Sequence, residues 1–200
     1  MQTDCIPVMD DGAMEPYKCI LICWIGFGAY WYISALAVRP VAERYPWLGQ
    51  LGHKVPVIIG ALLIFWPRQR FPWDMRLPWS GPASAWVGAA LCAIGLGGAI
   101  WSRRTLAGNW SGNITFKQGH ELIERGPYRF VRHPIYTSIL LMGLGTALDV
   151  GYAGAMAGVA LMFLGYWIKL RQEEQLLTRH FPSEYPAYKT RVKALIPFIV

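Results

Sequence analysis

The chain reads Gly126-Pro-Tyr-Arg-Phe-Val-Arg-His-Pro-Ile-Tyr136 at the entrance to an apolar block that runs from Pro134 to Ile168, and Glu173-Glu174 follow that block. The block is too long for one helix, and Asp149-Val-Gly151 interrupts it near its middle. Turn-forming residues at such a point predict a helical hairpin, here over residues 133–169. Because a hairpin returns the chain to the side from which it started, the two glutamates are expected to meet the basic and aromatic entrance stretch.

Composition indicates a membrane protein. Of the 200 residues 54% are hydrophobic and 16% charged, whereas soluble domains have about 25% charged residues. The net charge of +7 comes from basic residues that alternate with apolar spans. This pattern favours loops beside anionic membrane lipid and argues against a nucleic-acid partner. Three of the four cysteines fall in or beside apolar stretches, so neither a disulfide nor a metal site is expected.

The apolar stretches predict an all-α, polytopic helical bundle with about five transmembrane helices. Residues 17–37 and 82–101 are each long enough to cross a bilayer. Residues 55–66 are too few for an upright span, so this helix must borrow from residues 47–54, tilt, or fail to cross. The first arm of the hairpin, residues 134–148, would be about 22 Å long, which is short of the roughly 30 Å hydrocarbon core.

The distribution of charge predicts an orientation. Residues 1–16 contain four acids and no Lys or Arg, while residues 102–132 and 169–200 contain six basic residues each. Basic loops stay in the cytoplasm, so the N-terminus is expected outside and a ligand pocket inside. The acidic start also predicts no cleavable signal peptide. We divide the chain into N-terminal membrane helices, about three spans over 1–101, and a catalytic half, 102–200, within one integrated domain.

The entrance stretch combines features of an anion site. Pro134 suits the first turn of a helix, and His133 stands at the cap position. Free N–H groups at a helix start attract an anionic group such as a carboxylate. Arg129 and Arg132 fit equally well as interfacial anchors for lipid head groups. The position of Tyr136, one turn further along, favours a binding site.

The acidic stretch supplies the opposite charge. Lys169 and Glu173 are four residues apart, so on a continuing helix they share a face and can pair. The hairpin returns the Glu173 carboxylate to the basic interface, and opposite charges at one place suit a zwitterionic ligand. The alternative is that the glutamates are simply a solvated helix end. The turn-rich residues 108–113 form a candidate loop over this site, in which Asn113 offers an amide.

Several motifs between residues 101 and 198 carry a family resemblance: Gly119-His-Glu-Leu-Ile123, Gly126-Pro-Tyr128, Arg132-His-Pro-Ile-Tyr136, Glu173-Glu174 and the ending Tyr185-x-x-Tyr188…Val192…Ile196-Pro197. Together they resemble the isoprenylcysteine carboxyl methyltransferase family, a group that itself resembles the membrane phospholipid N-methyltransferases. The resemblance covers roughly half of the chain. It implies S-adenosylmethionine as cofactor and a lipophilic small molecule, a prenylated substrate or a membrane lipid as acceptor. The chain looks like a compact prokaryotic relative of this family, which implies a location in the cytoplasmic (inner) membrane.

The resemblance also implies roles for individual residues. Lys169 stands near the position at which family members have an arginine linked to the substrate carboxylate. Arg171 is the alternative, and it lies about 200° around the same helix from Lys169. A carboxylate acceptor is already ionised at neutral pH, whereas an amine or thiol acceptor would need His133 or Glu174 to remove a proton. Lys169, Arg171 and Glu174 are therefore the catalytic candidates. By motif position the following residues would line the donor site: Asn113, His120, Glu121, Leu122, Ile123, Tyr128, His133, Pro134, Ile135, Tyr136 and Glu173.

Two other functions stay open at this stage. One is a membrane NADPH-dependent reductase of the sterol-reductase type, whose architecture the family resembles. The other is a non-catalytic lipid-binding protein. The sequence has neither a phosphate-binding G-x-x-x-x-G-K-[ST] loop nor a strand-borne G-x-G-x-x-G motif. Whether oxygen, nitrogen or sulfur receives the methyl group is likewise left open.

Overall fold

The computed structural model describes residues 14–36, 41–44, 47–65, 75–117 and 121–197. Over these residues the chain is a helical bundle, which confirms the predicted all-α class, with one small antiparallel pair of strands beside it. The helices are α1 Pro16–Ala35, α2 Trp47–Phe65, α3 Pro82–Leu106, α4 Pro134–Val150, α5 Ala153–His180 and α6 Glu184–Arg191. The strands are β1 Val41–Arg44 and β2 Thr115–Lys117, and short 3₁₀ turns cover Ala107–Asn109 and Gly126–Arg129.

Among the described residues, three helices are long and apolar enough to cross a membrane: α1, the segment Pro82–Asn109 that contains α3, and α5. The apolar part of α2, Gly49–Phe65, and all of α4 are shorter. The membrane assignment is thereby confirmed, while five spans remain a prediction. At 28 residues, α5 is about 42 Å long, which exceeds the roughly 30 Å hydrocarbon core. Its last turns therefore extend beyond the hydrocarbon.

The helix boundaries follow from local signals. Helix α2 begins at Trp47, so the short apolar run of residues 55–66 does borrow the preceding segment. The predicted hairpin is also confirmed, because α4 ends at Val150 and α5 starts at Ala153, although its second arm continues past the expected residue 169 to His180. Gly151 lies between them with φ of 72°, a left-handed conformation that glycine adopts at little cost. Helix α3 runs five residues past the expected end at residue 101, to Leu106.

Small residues allow the helices to pack closely. Helix α2 lies on α5, and α3 lies on α4. A Cβ atom placed on Gly158 would lie 2.5 Å from the carbonyl oxygen of Gly60, and one on Gly95 would lie 2.7 Å from that of Ser138. No side chain fits into such contacts. Small residues let the backbones of membrane helices approach in this way.

The segment that follows α6 fixes the entrance to α4. The backbone N–H groups of Arg132 and His133 donate to the carbonyl oxygens of Lys193 (2.8 Å) and Ala194 (3.0 Å). The Thr137 hydroxyl donates to the carbonyl oxygen of Leu195 at 2.7 Å. The start of α4 is therefore held in place by a segment about sixty residues later in the chain.

Candidate functional site

A cavity with about 880 Å³ of empty volume, part of it open to solvent, lies where the ends of α3 and α5 meet the entrance stretch and α6. Nine of the eleven predicted donor-site residues line it. Pro134 is buried at the first position of α4 and is absent from the wall. His120 lies outside the described residues. The lining set consists of Asn113, Glu121, Leu122, Ile123, Tyr128, His133, Ile135, Tyr136 and Glu173.

Glu173 presents a carboxylate to this cavity. The Tyr136 hydroxyl lies 2.7 Å from both of its oxygens and donates to them. His133 Nδ1 lies 3.7 Å from one oxygen, and Lys169 Nζ lies 3.9 Å from the other. The predicted pairing of Lys169 with Glu173 is thus present. With 21% of the side chain exposed, the carboxylate can still receive a cation from the cavity.

Aromatic rings stack beside the carboxylate. The rings of His133 and Tyr136 lie 5.5 Å apart and are nearly parallel, with an interplanar angle of 6°. Tyr136 in turn stacks on Tyr166 of α5 at 4.8 Å. The first pair arises because residues three apart at the start of a helix lie on one side. The electron-rich face of such a ring attracts a soft cation.

Glu174 has different surroundings from its neighbour. It is 3% exposed and absent from the cavity wall. Arg132 donates to one of its oxygens from Nε (2.8 Å) and Nη2 (2.6 Å). His133 Nε2 lies 3.3 Å from the same oxygen, and Lys189 Nζ lies 2.8 Å from the other. Both oxygens are occupied, so this carboxylate holds the entrance stretch to α6 and is not placed to take a proton from a ligand.

The two remaining catalytic candidates point in different directions. Lys169 is buried; its ammonium group donates to the carbonyl oxygen of Gly112 at 2.9 Å and lies 5.1 Å from the centre of the Tyr136 ring. Arg171 is exposed, with its guanidinium 4.8 Å from the ring centre of Trp167. Neither lines the cavity. Lys169 is the one that faces inward, beside the loop that carries Asn113.

Helix α6 contributes two tyrosines that were not among the predicted site residues. Tyr185 and Tyr188 both line the cavity, and the only sequence signal for them was their spacing of three within the C-terminal motif. Burial, and secondarily the carboxylate of Glu124, raises the pKa of Tyr188; burial and then Glu173 raise that of Tyr128. These hydroxyls stay neutral near pH 7 and act as hydrogen-bond donors, as Tyr188 does to the carbonyl oxygen of Tyr128.

Comparison with known proteins yields two kinds of relative. The chain is similar to the nickel-cobalt-cadmium resistance protein NccN of Alcaligenes xylosoxydans xylosoxydans, with 28% identity over 70% of this chain and 62% of the relative. It is similar to the cobalt-zinc-cadmium resistance protein CzcN of Cupriavidus metallidurans, with 32% identity over 60% of this chain and 53% of the relative. Protein-S-isoprenylcysteine O-methyltransferase B of Arabidopsis thaliana is 28% identical over 43% of this chain and 44% of its own.

The chain thus spans between 44% and 62% of the length of these three relatives. The resemblance to the isoprenylcysteine methyltransferases is confirmed, and none of these relatives is named as a reductase. Residues 83–184, just over half of the chain, match the profile of the phospholipid methyltransferases. That stretch contains all of α3 but its first residue, the entrance stretch, the hairpin and both glutamates. The chain belongs to the phospholipid methyltransferase family.

Proposed function

We propose that this protein is an integral membrane methyltransferase that uses S-adenosylmethionine to methylate a lipophilic acceptor. The observation that carries the proposal is the Glu173 carboxylate, which lies on the cavity wall among stacked aromatic rings. The bound donor would supply an activated methyl group on a sulfonium ion.

The residues present fit this donor. Its amino-acid end carries an ammonium group, for which the partly exposed Glu173 carboxylate is a suitable acceptor. The aromatic ring of Tyr128 lines the cavity and can contact a sulfonium cation. Asn113 offers an amide that can both donate and accept hydrogen bonds. These residues bind and orient, and transfer in such a pocket depends chiefly on alignment and on exclusion of water.

We propose an acceptor that is methylated on oxygen, as the name of the Arabidopsis relative states for that protein, and within this class a carboxylate. An ionised carboxylate requires no general base. This agrees with the surroundings of Glu174, whose oxygens are bound by Arg132 and Lys189. Lys169 is the inward cation next to the cavity, so we assign it, and not Arg171, to the acceptor side.

We further propose that the cavity opens to the cytoplasm of a prokaryotic inner membrane. The cavity lies at the end of α5 that carries the charged residues of this helix, and most of its wall comes from the two basic polar stretches, residues 102–132 and 169–200. A lipophilic acceptor would approach from the bilayer between the helices, while the donor would enter from the aqueous side. Reconstitution of the protein into vesicles in a known orientation tests this. Donor added outside the vesicles should support methylation only by protein molecules whose C-terminus faces the outside of the vesicle.

Calorimetric titration of the detergent-purified protein with S-adenosylmethionine tests donor binding. The intact protein should bind with 1:1 stoichiometry, and Glu173→Ala and His133→Ala should bind at least tenfold more weakly, because each removes a group from the cavity wall. NADPH should not bind. Absence of donor binding by the intact protein, or binding unchanged from wild type in both variants, would refute the assignment. Incubation of membranes with methyl-labelled donor then identifies the acceptor by the lipid that becomes labelled.

A further inference from the structure

Arg103, in the last turn of α3, is a buried cation that is absent from the cavity wall. Its Nη2 donates to the carbonyl oxygen of Ser34 at 2.6 Å, and its Nη1 donates to that of Ala107 at 2.7 Å. Among the described residues, no carboxylate forms an ion pair with it. A buried charge without compensation is costly, so the two carbonyl groups have to supply the negative charge.

The two carbonyl groups belong to the C-terminal ends of two helices. Ser34 lies in the last turn of α1, and Ala107 is the residue that caps α3. The C-terminus of a helix carries about half a negative charge, so two such ends that meet at one guanidinium can compensate it. Arg103 thus joins the end of α1 to the point at which the chain leaves α3 for the cavity.

The turn that Arg103 binds has an unusual backbone conformation. Ala107 has a φ of 49° and is the one non-glycine residue with a positive φ among the described residues. A side chain makes this conformation costly, and it persists where the surroundings hold it. Arg103 binds the carbonyl oxygen of this residue, and the backbone N–H of Trp110 donates to the same oxygen at 3.4 Å. The turn directs the next residues into the cavity wall, to which Asn109, Trp110, Ser111 and Asn113 contribute.

The same guanidinium also covers the ring of Trp110, with its central carbon 4.6 Å from the ring centre. The ring of Trp31 in α1 is perpendicular to that of Trp110, with the two centres 5.8 Å apart. Trp110 lines the cavity, so contacts made behind the wall fix the orientation of a ring within it. A planar guanidinium can donate two hydrogen bonds and stack on an aromatic ring at the same time, which a compact ammonium group cannot do.

We propose that Arg103 is a positioning residue for methyl transfer, because it fixes the Trp110 ring in the wall of the cavity that holds the donor. The inference rests on the proposed function. Lys169 holds the other end of the same loop through the carbonyl oxygen of Gly112. Residues 107–113 are therefore tied at both ends by cations from two different helices. Arg103 does not touch the ligand and acts on it through Trp110.

The test is Arg103→Lys, which keeps the charge between the two helix ends but removes the planar group that stacks on Trp110. S-adenosylhomocysteine, the form of the donor that has lost its methyl group, is titrated calorimetrically into the detergent-purified protein. The variant should melt close to the wild-type temperature and bind this ligand about fivefold or more weakly, as for the loss of a buried cation–π contact. Arg104→Lys on the neighbouring exposed residue is the matched control and should change neither quantity.

A double-mutant cycle separates positioning from a general loss of structure. Trp110→Leu alone should weaken ligand binding by a similar factor. Adding Arg103→Lys to Trp110→Leu should weaken it by less than about twofold more, because the arginine then has no ring to hold. In protein that carries fluorotryptophan, the fluorine resonance that Trp110→Leu abolishes should shift in Arg103→Lys without any ligand and stay in place in Arg104→Lys.

The inference would be overturned by wild-type affinity in Arg103→Lys, by an unshifted Trp110 resonance, or by losses that multiply in the double variant. A protein that no longer folds with lysine at this position would show that Arg103 serves the fold itself, and would overturn it too. In each of these cases the wild-type protein still binds S-adenosylhomocysteine, and the proposed function stands. If the wild-type protein does not bind it, the proposed function fails and takes this inference with it.

Discussion

The two adjacent glutamates at the end of α5 have opposite surroundings. Glu173 is 21% exposed in its side chain, lines the cavity and accepts its short hydrogen bonds from a neutral tyrosine. Glu174 is buried away from the cavity and is bound by Arg132 and Lys189. Successive residues of an α-helix point about 100° apart. One carboxylate therefore reaches the cavity while the other reaches the segments that hold α6 and the entrance stretch.

The difference teaches that two adjacent residues of the same type serve two purposes, one of them ligand binding and the other stabilisation of the fold. A carboxylate enclosed by cations stabilises the fold, because removing it leaves buried positive charge unpaired. Glu173 accepts its shortest bonds from a neutral hydroxyl and has the Lys169 ammonium group only at 3.9 Å, so its negative charge is less compensated than that of Glu174 and is still accessible to a ligand. His133 lies between them and contacts both. Binding and folding are consequently separable by single substitutions, which the following predictions use.

The largest effect is expected for Glu174→Gln. The change keeps the shape of the side chain but removes the charge that compensates the buried Arg132 guanidinium. Loss of one partner from a buried ion pair costs about 3–5 kcal/mol. Thermal unfolding in detergent, followed by tryptophan fluorescence, should show a large drop in melting temperature. Glu184→Gln on exposed α6 is the control and should change little; an unchanged melting temperature for Glu174→Gln would contradict the structural role.

The next largest effect is expected for Glu173→Gln, and it should appear in ligand affinity more than in the melting temperature. Its melting temperature should fall much less than that of Glu174→Gln, because the side chain is partly exposed and Lys169, its cation at 3.9 Å, keeps its bond to the carbonyl oxygen of Gly112. Its affinity for S-adenosylhomocysteine should fall by about ten- to a hundredfold, the worth of a hydrogen bond to a charged group. If Glu173→Gln destabilised the protein as much as Glu174→Gln does, the assignment of binding to one glutamate and folding to the other would be wrong.

Much of this architecture follows from local sequence signals. Pro134 starts α4 and Gly151 ends it, so the hairpin could be derived without any tertiary information. The spacing of His133 and Tyr136 likewise placed two rings on one side of a helix. For α2 the apolar pattern left three alternatives, of which one, an extension into residues 47–54, is what the structure has. In each case the deciding interactions lie within a few residues along the chain.

The parts that could not be predicted depend on long-range contacts. Sequence alone does not give the rotation of α5 about its axis, and that rotation decides which glutamate meets the cavity. Helix α6 has no apolar pattern, so Tyr185 and Tyr188 were visible only as part of a motif. The pairing of β1 with β2 joins segments more than seventy residues apart. The role of Glu174 in particular required knowledge that Lys189 returns to it.

A smaller effect is expected for Lys169→Met. The substitution removes the bond from the buried ammonium group to the carbonyl oxygen of Gly112, a charge-assisted contact worth about 1.5 kcal/mol. The loop before β2 should then open more often. Hydrogen–deuterium exchange of the amides around Asn113 should become faster, and the turnover of a carboxylate acceptor should fall. Unchanged exchange in this loop would show that Lys169 does not hold it.

The smallest effect is expected for Arg171→Met, which is the matched control for Lys169→Met on the same helix. Arg171 is exposed, and its contact is the stacking of its guanidinium on Trp167, which contributes at most about 0.5–1 kcal/mol at an exposed site. Melting temperature, loop exchange and donor affinity should all stay near wild-type values. If Arg171→Met instead abolished acceptor turnover while Lys169→Met spared it, the cation that serves the acceptor would be the outward one. The rule drawn from the two glutamates, that the inward residue serves the ligand, would then fail for the basic pair.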